Sequence, residues 1–538
     1  MFSIHDKPVR LCDSWSRREI LRVGGASAFG LSLADLLAAN RGADAAPLAG
    51  RPTEDRMFGR AKNLIYLYLQ GGPPQHETFD PKPRAPVGIR GVHKPISTNV
   101  PGIQFCELLP RISRMADKLA VVRSLSTDDN VHSSSGYWVL TGYKYRGGNA
   151  RQIRPTDWPY FGSLVKMLKP SETLPPLSTV WIPDIMRLNE SVTPAGQTAG
   201  FLGGRWHPDR FVGDPAAANY RVQGLSADGI PPMRFNRRLS LLRQFDRHFG
   251  VLDRGEIARS YDSFQQQAFD LMTSGTAREA FAIEKEPDKF RDAYGRYTWG
   301  QCCLLARRLI EAGVRMVHVN WPREPGDNAV DNPLWDTHAQ NADRLEDVLC
   351  PKFDVTFTAL IEDLDQRGLL DETLVIAIAE FGRTPKINSK GGRDHWGSVF
   401  SFAMAGAGIS GGQVYGASDK HGAYPAKDRV RPGELTATIF HLLGINYTGT
   451  FKDRTGRPNR LTEGEPLFKL LGSEPATALR RKAGGDVARV PPYDRSLLLN
   501  TKFQDAKAIR GFDGPSRPKG WRAQPLQNGE SINGLFVT

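Results

Sequence analysis

Asp336-Thr337-His338, in the run WDTHAQN, sets a carboxylate and an imidazole two residues apart. In an extended segment that spacing aims both side chains to one side, where the pair can share one divalent cation. Glu380 lies at the end of the apolar run TLVIAIAEF and His395 follows it at a distance along the chain, so the two would complete an Asp/His/Glu/His donor set. The imidazoles favour Zn, Mn, Fe or a similar ion over Ca or Mg. A lone D-x-H is equally the pattern of a hydrogen-bonded surface pair, so its weight depends on what the rest of the chain gathers around it.

Gathering needs a scaffold. Short β-rich runs at 63–70, 118–125, 178–185, 315–321, 373–381 and 401–408 alternate with helical patterns that end at Gly313, Gly368 and Gly444. Near-continuous apolar strands imply a sheet covered on both faces, and glycines at those ends suit helix C-caps. The predicted fold class is α/β, a mostly parallel central sheet with helices on both faces.

In such sheets functional groups collect beyond the carboxyl ends of the strands, and four of these ends are polar. Gly71, Gly72, Gln75, His76, Glu77 and Asp80 follow the first run; Asp128, Asp129, Asn130, His132 and three serines from Ser133 follow the second. Asp336 and His338 come at some distance after 315–321, while Arg383 and Asp394-His395 come after 373–381. His318 and His441 fall inside apolar patterns and read as core histidines, and His207 reads as a surface-loop residue.

With 538 residues, 40% hydrophobic and 24% charged, the chain can bury a large core, which excludes disorder, collagen and coiled coil. The net charge of +13 is scattered without an aromatic-interleaved basic stripe. Nucleic acid is therefore not an expected partner; a positive surface suits an anionic small molecule or polysaccharide, but a solvated surface with no partner is the plainer reading of the charge. The 5 cysteines form no CxxC pair, and adjacent Cys302 and Cys303 read as core.

Ser16-Arg17-Arg18-Glu19-Ile20-Leu21 precedes a weakly apolar run from Val23 to Ala39, followed by Ala43-Asp44-Ala45. Residues 1–45 thus read as a twin-arginine signal peptide, with a periplasmic or extracellular destination. The run is too polar to remain as a spanning helix, and no other stretch suggests a stable membrane span. Residues 60–472 read as one α/β domain with a helical insertion at about 236–290, and 473–538 as a loop-rich C-terminal extension.

At these residues the chain resembles the alkaline phosphatase superfamily, which includes sulfatases, alkaline phosphatases and cofactor-independent phosphoglycerate mutases. Within it, the N-terminal signal, LQGGPPQHETFDPKP, HSSSGYWVLTG, WDTH and EFGRTP…GRDHWG are similar to the bacterial family labelled domain of unknown function 1501, over most of residues 60–450. The resemblance implies an alkaline phosphatase-like fold and an exported, metal-dependent hydrolase of phosphate or sulfate esters.

Sulfatases open a helix with CxPSRxxxLTG, the first residue being the nucleophile; counting back nine from Thr141 lands on His132. Ser133 is adjacent and is the nucleophile in reserve, although a shift of one residue turns a helical side chain by about 100°. The superfamily's first-strand carboxylates fall near neutral Gln70, and its late Asp-His or Asp-Asn pair falls on Glu380-Phe381. One metal position is thereby damaged, and the resemblance implies a single Zn or Mn ion on Asp336, His338 and His395, with Glu380 the remaining ligand of the late pair. Arg383 would neutralise the ester, His132 would be a further ligand or a general acid/base, and His76 and Asp394 would line the substrate. The alternative is a non-catalytic exported binding or surface-assembly protein with a degenerate metal site. Convergence of His132, Asp336, His338 and His395 would favour the hydrolase.

Overall fold

Alternate residues of the run that starts at Asn63 enter different cores: Ile65, Leu67 and Leu69 one, Leu64, Tyr66 and Tyr68 the other. A strand buried this way needs helices on both sides, and the computed structural model supplies them. It describes residues 55–189, 191–222, 274–323, 333–453, 455–473 and 487–488.

The strands of the main sheet are β1 (Asn63–Tyr68), β2 (Leu119–Leu125), β3 (Thr179–Ile182), β4 (Asp209–Arg210), β5 (Met316–Asn320), β6 (Thr373–Ile378), β7 (Phe400–Ala405) and β8 (Gln413–Tyr415). Their order is β8-β2-β7-β6-β1-β5-β3-β4. β1 runs parallel to β5 and β6, and β7 alone is antiparallel to its neighbours β6 and β2. Helices α1 (His132–Thr141), α2 (Phe161–Leu168) and α5 (Pro432–Leu442) cover the face that carries Leu64 and Tyr66; α3 (Thr298–Glu311) and α4 (Cys350–Gln366) cover the other. The predicted α/β class is the observed one.

All six expected strands form, each shorter than its apolar run, and in all but β2 the carboxyl-terminal residues of the run leave the ladder. Glu380 and Phe381 therefore lie past β6. The edge strands β4 and β8 were not foreseen; too short and half-exposed to leave an apolar run, they carry no periodicity. The helical pattern before Gly313 breaks at Gly295, whose φ of 88° suits glycine and separates Asp288–Tyr294 from α3. The expected signal peptide, residues 236–273 of the expected insertion, and the C-terminal extension apart from 473 and 487–488 lie outside the described residues. Among the described residues no helix is long and apolar enough to cross a membrane.

His318 on β5 is a satisfied core histidine. Its ring stacks on Trp181 at 3.6 Å, Nδ1 meets the Tyr160 hydroxyl at 2.8 Å and Nε2 meets Asn320 Oδ1 at 2.9 Å. Burial pushes this imidazole down to about 3, so the folded protein keeps it neutral where the unfolded chain protonates it. The unfolded state then binds the extra proton, and stability falls as pH drops from the ordinary histidine range toward 3. This group should cost about 3 kcal/mol between pH 8 and pH 4. Chemical denaturation of wild type and His318→Gln at both pH values measures it: the acid loss should shrink by that amount in the variant, and an equal loss in both would refute the assignment.

Candidate metal centre

The end of β1 turns sharply through Gly71, where φ is 111°, and its N–H donates to Glu380 Oε1 at 2.9 Å. Trp335 N–H donates to the Gln70 carbonyl at 3.2 Å, which lays the segment bearing Asp336 across the same turn. Beyond β6, Gly382–Arg383 pairs antiparallel with His395–Trp396, placing Arg383 opposite His395. The end of β2 leads into α1, whose first residue is His132; Ser135 Oγ donates to the Glu380 carbonyl at 2.5 Å and fixes this helix start on the end of β6. Three strand ends and the segment bearing Asp336 therefore meet at the carboxyl-end side of the sheet.

The side chains converge on Asp336. His132 Nε2 lies 3.2 Å from Oδ2, while His395 Nε2 and His338 Nε2 each lie 3.0 Å from Oδ1. His338 Nε2 and His395 Nε2 are 2.9 Å apart. Donor atoms of His132, Asp336 and His395 all fall within 4.8 Å of one another, a spread one ion can bridge. The Phe381 ring packs against His132 and His395 at centroid distances of 4.7 and 4.6 Å, closing the apolar side.

Each imidazole is tied on its outer nitrogen to an acceptor. His132 Nδ1 meets Glu380 Oε1 at 2.6 Å, His395 Nδ1 meets the Asn130 carbonyl at 2.9 Å, and His338 Nδ1 meets Asp394 Oδ1 at 2.8 Å. A carbonyl or carboxylate only accepts, so each Nδ1 carries its hydrogen and each neutral ring turns an Nε2 lone pair inward. Lone pairs facing a carboxylate repel unless protons or a cation sit among them. This is the backing that metal-bound histidines receive, and the donors present fit a divalent ion of the zinc or manganese kind.

The charges follow. Burial opposes charge on His132, but Asp336 and Glu380 outweigh it and push the imidazole up to about 9. Burial would raise Asp336 too, yet the three histidines and Arg383 hold it far below the usual carboxylate range. Asp336 and Asp394 raise His338, whereas burial lowers His395. Of the two rings with close Nε2 atoms, His338 is thus the more basic.

The expected residues sort differently from their sequence roles. His132 joins the three-donor group with Asp336 and His395. His338, with a side chain 34% exposed, stands at its rim with Asp394 behind it. Glu380 meets the group through His132, acting as its anchor. Arg383, expected to grip the ester, is fully buried: Nε donates to the Gly72 carbonyl at 3.0 Å, one terminal nitrogen to the Arg393 carbonyl at 3.2 Å, and the other to the Gly71 carbonyl and Asp336 Oδ1. With every nitrogen engaged it faces no substrate. Ser133 is 2% exposed, out of reach as a surface nucleophile. His76 is buried against the His421 carbonyl at 2.8 Å rather than lining the site, and burial lowers it to about 4. His207 accepts from Ala199 N–H at 3.0 Å.

Sequence reasoning missed Phe381 and Asn388, the latter donating to the His338 carbonyl at 2.9 Å and to Asp394 Oδ1 at 3.3 Å. Phe381 reads as one more core residue and Asn388 as a loop polar residue, and only their neighbours in space mark either one.

A family model described as "Protein of unknown function (DUF1501)" matches residues 61–471. No curated protein matches the chain. Similar solved structures include the phosphonate monoester hydrolase SpPMH from Silicibacter pomeroyi, at 11% identity and a TM-score of 0.35, covering 77% of this chain and 78% of that one. The lipoteichoic acid synthase LtaP from Listeria monocytogenes is similar at 10% identity and 0.33, over 74% and 76%. A protein in the alkaline phosphatase superfamily from Vibrio parahaemolyticus is similar at 9% and 0.33, over 75% and 73%. Likenesses this distant carry no argument about chemistry.

Proposed function

Starting from a chain that belongs to the DUF1501 family, we propose that it is an exported, divalent-metal-dependent hydrolase of phosphate or sulfate esters. The observation that carries this is the convergence of Nε2 atoms from distant parts of the chain on the Asp336 carboxylate, each ring backed by an acceptor. His132, Asp336 and His395 would hold one ion, of the Zn or Mn kind. Such an ion supplies Lewis acidity toward an anionic ester oxygen.

The protein's own groups do the rest. His132 is the first residue of α1, whose opening turn has no side-chain cap, so the helix start favours an anion beside the cluster. His338 is the more basic of the paired rings, is partly open to solvent, and is steadied by Asp394; once protonated it would be placed to protonate the leaving oxygen. With Ser133 buried, water is the attacking group. An anionic small molecule or polysaccharide ester also suits the excess of positive charge.

Protein made with its leader and purified without chelator should carry about one equivalent of Zn or Mn and hydrolyse members of a phosphate and sulfate ester panel. His338→Asn should slow esters of poor leaving groups by about 10² or more while sparing activated aryl esters, the signature of a lost general acid. Less than about a tenth of an equivalent of any divalent transition metal would leave the binding-protein reading in its place.

Export rests on Ser16-Arg17-Arg18 and the small residues to Ala45. Arg17→Lys with Arg18→Lys should hold the full-length precursor in the cytoplasm, while wild type appears shortened outside it. Fractionation and mass measurement decide, and undiminished processing of the double variant would count against this route.

A further inference from the structure

We infer that Arg383 is a built-in cation that limits the His132/Asp336/His395 centre to one divalent ion. This rests on the metal site proposed above. The guanidinium is fully buried and donates to Asp336 Oδ1, an oxygen that His395 Nε2 also approaches at 3.0 Å. Its other contacts are main-chain carbonyls of Gly71, Gly72 and Arg393, so it has no freedom to swing aside. Two further ties fix its backbone: the pairing of Arg383 with His395, and its N–H on Gln75 Oε1 at 3.0 Å.

The position decides the consequence. One carboxylate is engaged by a fixed guanidinium at Oδ1 and faces His132 at Oδ2. A second dication drawn to Oδ1 would meet a buried positive charge that no water screens. Around the centre stand three carboxylates, Asp336, Glu380 and Asp394, whose charge one guanidinium and one dication already match before any charge on the imidazoles is counted. A second dication has no counter-charge left, and Arg383 already performs the service it would offer Asp336.

The test titrates the full chain with Zn²⁺ alone against a chromophoric competitor, taking Asp336→Asn as the blank for adventitious sites. Wild type should bind one ion above the blank. Arg383→Gln, which removes the charge but keeps an amide donor for the glycine carbonyls, should bind the first ion about tenfold tighter or better and accept a second. Arg383→Lys should still bind one ion within about threefold of wild-type affinity. Two ions in wild type or in Arg383→Lys, or a folded Arg383→Gln that binds one ion no more tightly than wild type, would overturn the inference and leave the hydrolase standing. Should Arg383→Gln not fold, wild type and Arg383→Lys still decide the count. No ion above the blank in wild type would remove the metal site itself.

Discussion

Asp336→Asn should abolish tight divalent-metal binding, with affinity falling by about 10³ or more and ester hydrolysis falling with it. Among the described residues the carboxylate is the one group that His132, His338, His395 and Arg383 all approach. An amide nearly preserves its shape but removes the charge and turns a donor toward groups that donate. Loss of even a residue behind a ligand costs about 10- to 100-fold in affinity, so loss of the shared ligand should cost more. The buried guanidinium would also lose its only carboxylate among the described residues, which adds about 3 kcal/mol of destabilisation. Thermal unfolding with and without chelator separates the two effects. Wild type should melt lower once stripped, and the variant should melt lower still and ignore the chelator. A variant that retains one tightly held ion would refute the assignment of Asp336.

Gly71→Ala should destabilise the protein by about 3 kcal/mol or more and disperse the cluster. A methyl group at this position would lie 2.6 Å from the Asp336 nitrogen and 2.7 Å from the Trp335 nitrogen, both main-chain atoms with no rotamer to escape into. The backbone φ of 111° adds its own cost for any residue with a Cβ. Relief requires the segment bearing Asp336 to lift off the end of β1, which would part its carboxylate from His132 and Arg383. Gly88→Ala is the control, since nothing lies within 4 Å of its added carbon. Denaturant midpoints and metal content of both variants test this. If Gly71→Ala matched wild type in each, the close seating of Asp336 on this turn would be wrong.

Both predictions concern contacts between residues far apart in the chain, and this is where sequence reasoning thinned. Apolar runs located six strands because a strand buried on both faces must be apolar along its length. Such runs say nothing of order, so β7 lying antiparallel between β2 and β6 could not be read from them. Asp336, His338 and His395 stood out as polar groups after strand ends, a local signal. Whether Arg383 was open or buried was not local: that depends on Gly71 and Gly72, which β1 delivers to it.

Composition and pattern alone thus settled the α/β class and most of its strands and singled out Asp336, His338 and His395 as polar groups after strand ends, because propensity and burial act over a few residues. Three-dimensional packing divided the labour among that set. It moved His132 into the donor group, left His338 at the rim, and turned Arg383 from a substrate contact into an internal counter-ion. Those assignments depend on distances of about 3 Å between groups carried by different strands, and only the closed sheet fixes such distances.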